Sequence, residues 1–372
     1  MPVINKEKGI FTFLGYIIFS VNILSILLLF MGYLSWHVSP QKMIVFAYAG
    51  FAFPVVLAIN IVFVFFWLIF RKWKYMLITI GALLLCSKPV TAYFPLNIKK
   101  KEIPEGCIKF LSYNVMCFGW HNDRNNPNEE NDIIEYIRNS GADIVCLQEH
   151  MSIYNHKKSS SKNIQKRLEH YPYYSEIQQR PELGHFYGVA CFSKYPIIEA
   201  VELPYKSENG SALFKLNING KIISIINNHL ESNGLAEKDR KLYRDFFEER
   251  GKVKIDDIAH NMKSKLGTAF RVRAPQAEVI DSCIRSQNTD GIIVCGDFND
   301  TPVSYAYHKI KGDLIDAYAE NEFGPRITYH ENNFLFRIDF IMHSKNIKSY
   351  NCTIDKVKYS DHYPIWSYLK ID

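Results

Sequence analysis

Six apolar runs of this chain end in side chains that could do chemistry. "FLSYN" ends at Asn114, "DIVCLQEH" at Glu149 and His150, and "SIINNHLES" at Asn228, His229 and Glu231. "IIVCGDFND" supplies Asp297, Asn299 and Asp300, "RIDFIMHS" supplies Asp339, and "YSDHYPI" supplies Asp361 and His362. Each alone reads as a turn residue, a cap or a solvated acid, because polar residues favour strand ends anyway. Together they form a set. Glu149, Asp297 and Asp361 are hard oxygen donors suited to Mg²⁺ or Mn²⁺, His229 and His362 handle protons, and Asn114 and Asn299 offer neutral hydrogen bonds. Such a set suits in-line displacement at phosphorus: the cation polarises a phosphoryl oxygen, an Asp aligns or deprotonates water, and a His meets the developing charge. The sequence carries no P-loop, dinucleotide-type Gly-rich fingerprint, His-Glu-x-x-His helix or Gly-x-Ser-x-Gly elbow.

Residues this far apart in sequence meet only if their strands end on one rim. Strands are expected at Ile108 to Val115, Asp143 to Leu147, Tyr187 to Phe192, Ala212 to Asn217, Lys221 to Asn227, Gly291 to Cys295, Arg337 to His343 and Tyr363 to Leu369. The Asn219-Gly220 pair predicts a type I′ hairpin between two of them. Helices are expected at Glu130 to Asn139, before the Ser140-Gly141 stop, and along the charged stretch from Ala236 to about Arg285. Hairpin-linked strands interleaved with helices argue for mixed sheets covered by helices, an α/β or α+β class, in one domain spanning residues 95–372.

The first 94 residues differ in kind. They hold seven basic residues and one acidic residue, so the whole excess of positive charge lies there, and the remainder balances at 37 of each sign. A neutral remainder is poor material for a polyanion-binding surface. Apolar runs from Phe11 to Trp36 and from Met43 to Phe70 each exceed the ~20 residues that cross a hydrocarbon core. A third, broken run extends from Tyr75 to Phe94 and is read as a further span. Residues 1–94 are therefore expected to be a membrane anchor of two to three transmembrane helices, with Asn22 and Asn60 as packing features between them. The positive-inside rule places Lys6, Lys8 and the loop of Arg71, Lys72 and Lys74 in the cytoplasm, leaving the large C-terminal part outside; Lys99 to Lys101 argue the other way. Seven of the eight Cys fall in the C-terminal part, none at zinc-type spacing, and Cys146, Cys191 and Cys295 read as small buried hydrophobes.

The ordered segments "SYN", "LQE", "GVACFSKYPI", "NNHL", "GDFND", "RIDFIM" and "SDHYPI" resemble those of the endonuclease/exonuclease/phosphatase superfamily, from about Ile108 to Leu369. The hydrophobic N-terminus resembles that of membrane-anchored bacterial members, which implies a bacterial inner-membrane protein; the positive-inside reading makes its catalytic domain extracytoplasmic. The resemblance implies a four-layer sandwich, two packed mixed β-sheets flanked by helices, with the site at one rim. It makes Glu149 the principal metal ligand, with Asn114 beside it and Asp361 as a further metal-side ligand. Asp297 positions or activates water, and Asn299 stands next to it on the phosphate. His362 contacts phosphate and is oriented by Asp339, and His229 is the second imidazole at the scissile phosphate. The resemblance leaves open both the general base, Asp297 or the His362 and Asp339 pair, and the number of metals.

Arg273 and Arg337 are candidate substrate contacts, Arg337 equally an ion-pair partner, and residues 232–273 a candidate cap or a solvated helical face. The expected function is a membrane-anchored, divalent-metal-dependent phosphoesterase. Its substrate is a lipid headgroup or a nucleic acid, and its second partner is the bilayer. The alternatives are a tethered nuclease, which would use the basic cluster of Lys157, Lys158, Lys162, Lys166 and Arg167, and a non-catalytic binding protein on the same fold.

Overall fold

The computed structural model describes residues 2–99, 102–120, 125–126, 129–205, 207, 209–234, 255–331 and 335–371, with 2–12 and 255–263 as backbone. Two six-stranded mixed sheets pack face to face. The first has the order β11 (Ile347–Ile354), β12 (Ile365–Ile371), β1 (Ile108–Asn114), β2 (Ile144–Ser152), β4 (Phe186–Ser193), β3 (Tyr173–Gln178). The second runs β5 (Ile197–Glu202), β6 (Ser211–Ile218), β7 (Lys221–His229), β8 (Gly291–Asp297), β10 (Asp339–His343), β9 (Ile315–Asp316). One parallel pair lies inside each sheet, β1 with β2 and β7 with β8, so four strand ends carrying Asn114, Glu149, His229 and Asp297 point to one rim. The expected hairpin joins β6 to β7, with Asn219 and Gly220 both at positive φ.

Period-two alternation assigns each strand's two faces. Ile108 and Phe110 of β1, Ile144 and Cys146 of β2, Ile225 of β7 and Ile293 and Cys295 of β8 meet between the sheets. The intervening Leu111, Tyr113, Val145 and Leu147 turn outward onto Ile133, Ile134 and Ile137 of α6 (Asp132–Asn139) and Ile164 of α7 (Ser161–Arg167). On the other side Ile226, Val294 and Phe340 pack against Ala277 and Ile280 of α8 (Ile255–Ser286) and Tyr307 of α9 (Tyr305–Lys311). The result is the expected four-layer sandwich. A short α10 (Ala317–Asn321) follows β9. Of the expected charged helix, residues 236–254 lie outside the described residues, as does the corresponding part of the candidate cap. Cys146, Cys191 and Cys295 are fully buried, and the cysteines are free thiols.

The N-terminal region is helical: α1 (Pro2–Leu34), α2 (Ile44–Phe51), α3 (Phe53–Ile69), α4 (Trp73–Leu85) and α5 (Ser87–Tyr93). One stretch, Phe13–Leu34, is long and apolar enough to cross a membrane, and up to three are if each bent pair, α2 with α3 (62°) and α4 with α5 (71°), counts as one. The buried Asn22 of α1 ties α1, α3 and α4 together, accepting from Trp67 Nε1 at 2.8 Å and Thr79 Oγ1 at 2.9 Å. Asn60 likewise donates to the Ser25 carbonyl at 3.1 Å. Both amides are thus packing features between the helices, worth about 1 kcal/mol per bond.

This region also docks on the sandwich. Trp36 stacks on His308 with ring centroids 4.6 Å apart and donates its Nε1 to the Pro302 carbonyl at 3.0 Å. Ser35 Oγ donates to the Val303 carbonyl at 2.9 Å. A Cβ on Gly50 would fall 2.3 Å from that same carbonyl, so glycine is what lets α2 approach so closely. Trp36 and Ala92 belong to the same buried cluster as Ile226, Phe298 and Phe340.

Candidate functional site

Two backbone irregularities aim the polar residues at the rim. The β2–β4 register shifts between Leu147 and His150, and within that bulge Glu149 adopts φ 51°, a left-handed conformation uncommon for a non-glycine residue. At the end of β8, Gly296 sits at φ 115° and a Cβ there would lie 2.0 Å from the Asn228 carbonyl, so the approach of β7 to β8 requires glycine. Asn299 follows at φ 51°, its backbone N–H donating to Asp297 Oδ1 at 2.7 Å.

Asn114 spans the two sheets. Its Nδ2 donates to Glu149 Oε1 and Asp297 Oδ2, both at 3.1 Å, while its Oδ1 accepts from the Met116 backbone N–H at 3.0 Å. His362 faces two carboxylates: Nδ1 lies 2.9 Å from Asp339 Oδ2 and Nε2 lies 3.6 Å from Asp297 Oδ2. Burial alone would discharge this imidazole, but Asp339 and Asp297 outweigh it and hold the ring protonated well above the usual histidine range. Burial pushes Asp297 up to about 7, with His362 opposing and Asp339 adding to the rise. His229 lies 3.5 Å from Glu149 Oε1 and 3.9 Å from Asp297 Oδ2, and burial followed by the charge of His362 lowers it to about 3, so it is neutral.

A cavity of about 290 Å³ opens onto this set. Glu149, Asp297, Asn299, Asp361 and His362 line it, so five of the ten expected site residues reach its surface. Asn114, His229 and Asp339 stand directly behind them, at most 2% exposed. His229 is buried behind the wall, its Nε2 taken by the Asn209 amide, and does not itself line the cavity. Asp297, Asp339 and His362 each present a possible ligand atom within 4.8 Å of the others. Because Nδ1 of a protonated His362 is spent on Asp339, this trio reads better as a charge pair beside an acid than as a cation cage.

The two arginines are corrected by the structure. Arg337 is buried against Asp316 Oδ2 at 2.8 Å and the Ala92 carbonyl at 2.8 Å, away from the cavity, so it is the ion-pair partner and not a phosphate contact. Arg273 bonds Asp300 Oδ2 at 3.2 Å, the Glu231 carbonyl at 2.8 Å and Asn233 Oδ1 at 3.0 Å. It braces the 231–233 turn that edges the cavity and does not itself line it. Glu231 turns away onto Ser207, which removes the repulsion an extra acid would bring. His150 points to the opposite face of the bulge and pairs with Glu176 at 2.7 Å. The basic cluster is also elsewhere: Arg167 pairs with Glu130 at 2.6 Å, and no Lys or Arg lines the cavity among the described residues.

Several contributors carried no sequence signal. Asn209 donates to His229 Nε2 at 3.1 Å, Thr328 Oγ1 receives the Asp339 backbone N–H at 3.1 Å, and Ser360 Oγ donates to the Asn114 carbonyl at 2.8 Å. Tyr329 sets its ring edgewise to His362, with centroids 5.1 Å apart. Phe51, from the apolar N-terminal region, lines the same cavity.

Fold and rim together define a four-layer α/β sandwich protein with an acid, amide and imidazole site at one end of its parallel strands. Residues 111–362 match the Endonuclease/Exonuclease/phosphatase family, and the chain belongs to that family, whose members are typically hydrolases. Residues 15–93 match a domain of unknown function, DUF8431. No curated protein matches the chain. Among solved structures it is similar to an endonuclease/exonuclease/phosphatase from Bacteroides vulgatus, at 18% identity and a TM-score of 0.48 over 72% of this chain and 100% of that one. It is also similar to sphingomyelinase C from Streptomyces griseocarneus (16%, 0.45, 72% and 99%) and to the catalytic domain of human Nocturnin with bound sulfate (16%, 0.48, 72% and 95%).

Proposed function

We propose that this chain is a membrane-anchored, divalent-cation-dependent phosphoesterase that hydrolyses a phosphate mono- or diester by in-line attack of water. The observation that carries this reading is the Asn114 bridge. It places Glu149 of one sheet and Asp297 of the other around a single amide, with the His362 and Asp339 pair adjoining, in one cavity. The donor set fits a hard cation: Glu149 and Asp361 bring carboxylate oxygens to the wall beside the buried Asp297. A Mg²⁺ or Mn²⁺ held there by Glu149 and Asp361 would polarise a phosphoryl oxygen.

The chain's own residues do the rest. With His362 keeping its proton, Asp297 is the acceptor poised to take the proton of an attacking water, and Asn299 holds that carboxylate through two hydrogen bonds, at 2.7 and 3.3 Å. The water oxygen bonds to phosphorus as the bond to the departing alkoxide breaks, and that alkoxide takes its proton from solvent water while Asp297 holds the one released by the nucleophile. His362 donates from Nε2 toward the phosphoryl oxygen on which charge builds.

Three helices, α1, α3 and α4, form the membrane bundle in this reading. The exposed Arg71, Lys72 and Lys74 turn links α3 to α4, and under the positive-inside rule a cytoplasmic turn there supports an extracytoplasmic catalytic domain. The acidic lining argues against a nuclease, which needs cations along a polynucleotide track. The test is turnover of bis(p-nitrophenyl) phosphate by the full chain in detergent with Mg²⁺ or Mn²⁺. The expected result is cation-dependent release that Asp297→Ala abolishes; release insensitive to chelator would overturn the reading.

A further inference from the structure

The cavity is lined by two kinds of side chain. One kind of lining is the acid and imidazole set; the other is apolar, contributed by Phe51, Leu266, Tyr329, Phe336 and Ile338. Phe51 comes from the last turn of α2, inside the apolar N-terminal region, and its ring sits 4.9 Å from that of Phe336 and 6.2 Å from that of Phe270. The next helix, α3, leaves at 62° as a 17-residue apolar stretch with Val55, Ile59 and Val62 exposed. Through Phe51 the apolar lining is thus joined along the chain to a surface that water disfavours. Leu335, beside Phe336 in sequence, is 53% exposed, and Phe323 stands out at 63% on the sandwich next to Phe94. Large exposed apolar groups in such number mark a surface that meets something apolar.

We propose that the substrate is a phosphoester carrying an apolar chain, drawn from the bilayer that holds the anchor. Its phosphate meets Asp297 and His362, and the first methylenes of its chain lie against the wall of Phe51 and Phe336. This rests on the phosphoesterase reading above and adds that Phe51, a residue of the anchor, determines specificity. A charged, soluble phosphate ester gains nothing from that wall, and a polynucleotide backbone would find no cation on it among the described residues.

The test uses the full chain in detergent with Mg²⁺ and a homologous series of p-nitrophenyl alkyl phosphodiesters, methyl to decyl. For the wild type, kcat/KM should climb by up to about fourfold per methylene over the first several members and then level off. Phe51→Asn should flatten that climb and Phe51→Leu should keep it, while both share the same partitioning of substrate into micelles. Phe336→Asn reports on the same wall from the catalytic side should Phe51→Asn fail to fold. A wild-type rate independent of chain length, or equal slopes in the Asn and Leu variants, would overturn the inference while leaving the phosphoesterase standing. A single-stranded oligonucleotide cleaved faster than every alkyl ester, with loss in Phe51→Asn, would mean that the aromatic wall stacks bases and would overturn it too. Silence on the whole series, methyl ester included, would instead bring down the underlying activity.

Discussion

His362 Nδ1 lies 2.9 Å from Asp339 Oδ2, and both groups are buried at the rim where the two sheets meet. The bond fixes which ring nitrogen faces Asp297 and, with Asp297, holds the imidazole charged against the pull of burial.

Removing that support should therefore alter both rate and titration. Asp339→Asn should lower kcat by about 10²- to 10⁴-fold. Because Asp339 raises the His362 pKa, its loss should move the alkaline limb of the kcat/KM profile to lower pH. His362→Ala combined with Asp339→Asn should cost little more than His362→Ala alone, since one acts through the other. Additive losses in steady-state kinetics would contradict the pairing.

Glu149→Ala should cut divalent-dependent turnover by about 10³-fold or more. The left-handed φ at this position should make the variant no more stable than wild type, so a loss of activity at unchanged melting temperature separates chemistry from folding. Cation titration followed by calorimetry reads the binding directly, and wild-type cation affinity in the variant would remove Glu149 from the site.

Arg337→Met is the matching control. It leaves Asp316 buried without its 2.8 Å partner, so the expected cost is about 3–5 kcal/mol in denaturant unfolding. The KM of the folded enzyme should stay as it was, because Arg337 faces Ala92 and Asp316 and not the cavity. A raised KM at unchanged stability would restore it as a substrate contact.

The docking of Trp36 on His308 should weaken in acid. Burial, followed by the charges of His37, Lys311, Lys88 and Lys309, lowers the His308 pKa to about 4. A folded-state value below the unfolded 6.5 means stability is complete above pH 6.5 and is lost as pH falls through that value toward 4. Melting temperature and Trp fluorescence should both fall over that window, and His308→Phe, which stacks without titrating, should remove the dependence.

The interior strands and the polar strand ends were legible because each pairs a buried apolar run with a sharp change of chemistry. The strands that escaped notice are β3, β5, β9 and β11, which are the four sheet edges. Edge strands are solvated on one flank, and β5, with Ile198, Glu199, Val201 and Glu202 all exposed, shows no apolar run to detect. Eight of the ten expected site residues converge, since strand ends report their own position. Arg273 and Arg337 misled because a guanidinium beside a motif looks the same whether it serves a phosphate or a buried carboxylate. Phe51 was invisible for a different reason: its place in the cavity depends on contacts such as Ser35 with Val303, 268 residues apart, which no local pattern encodes.

The burial of Trp36 and Ala92 within the second hydrophobic cluster gives the chain an architectural property of its own. Severing it after Phe94 would open a hole beside Phe298 and Phe340, take the Ala92 carbonyl from Arg337 and remove one wall of the cavity. The N-terminal helices are thus less a leash than a keystone. Proteolytic shedding, which frees many tethered enzymes to act at a distance, would under the proposed function cost the released domain its activity.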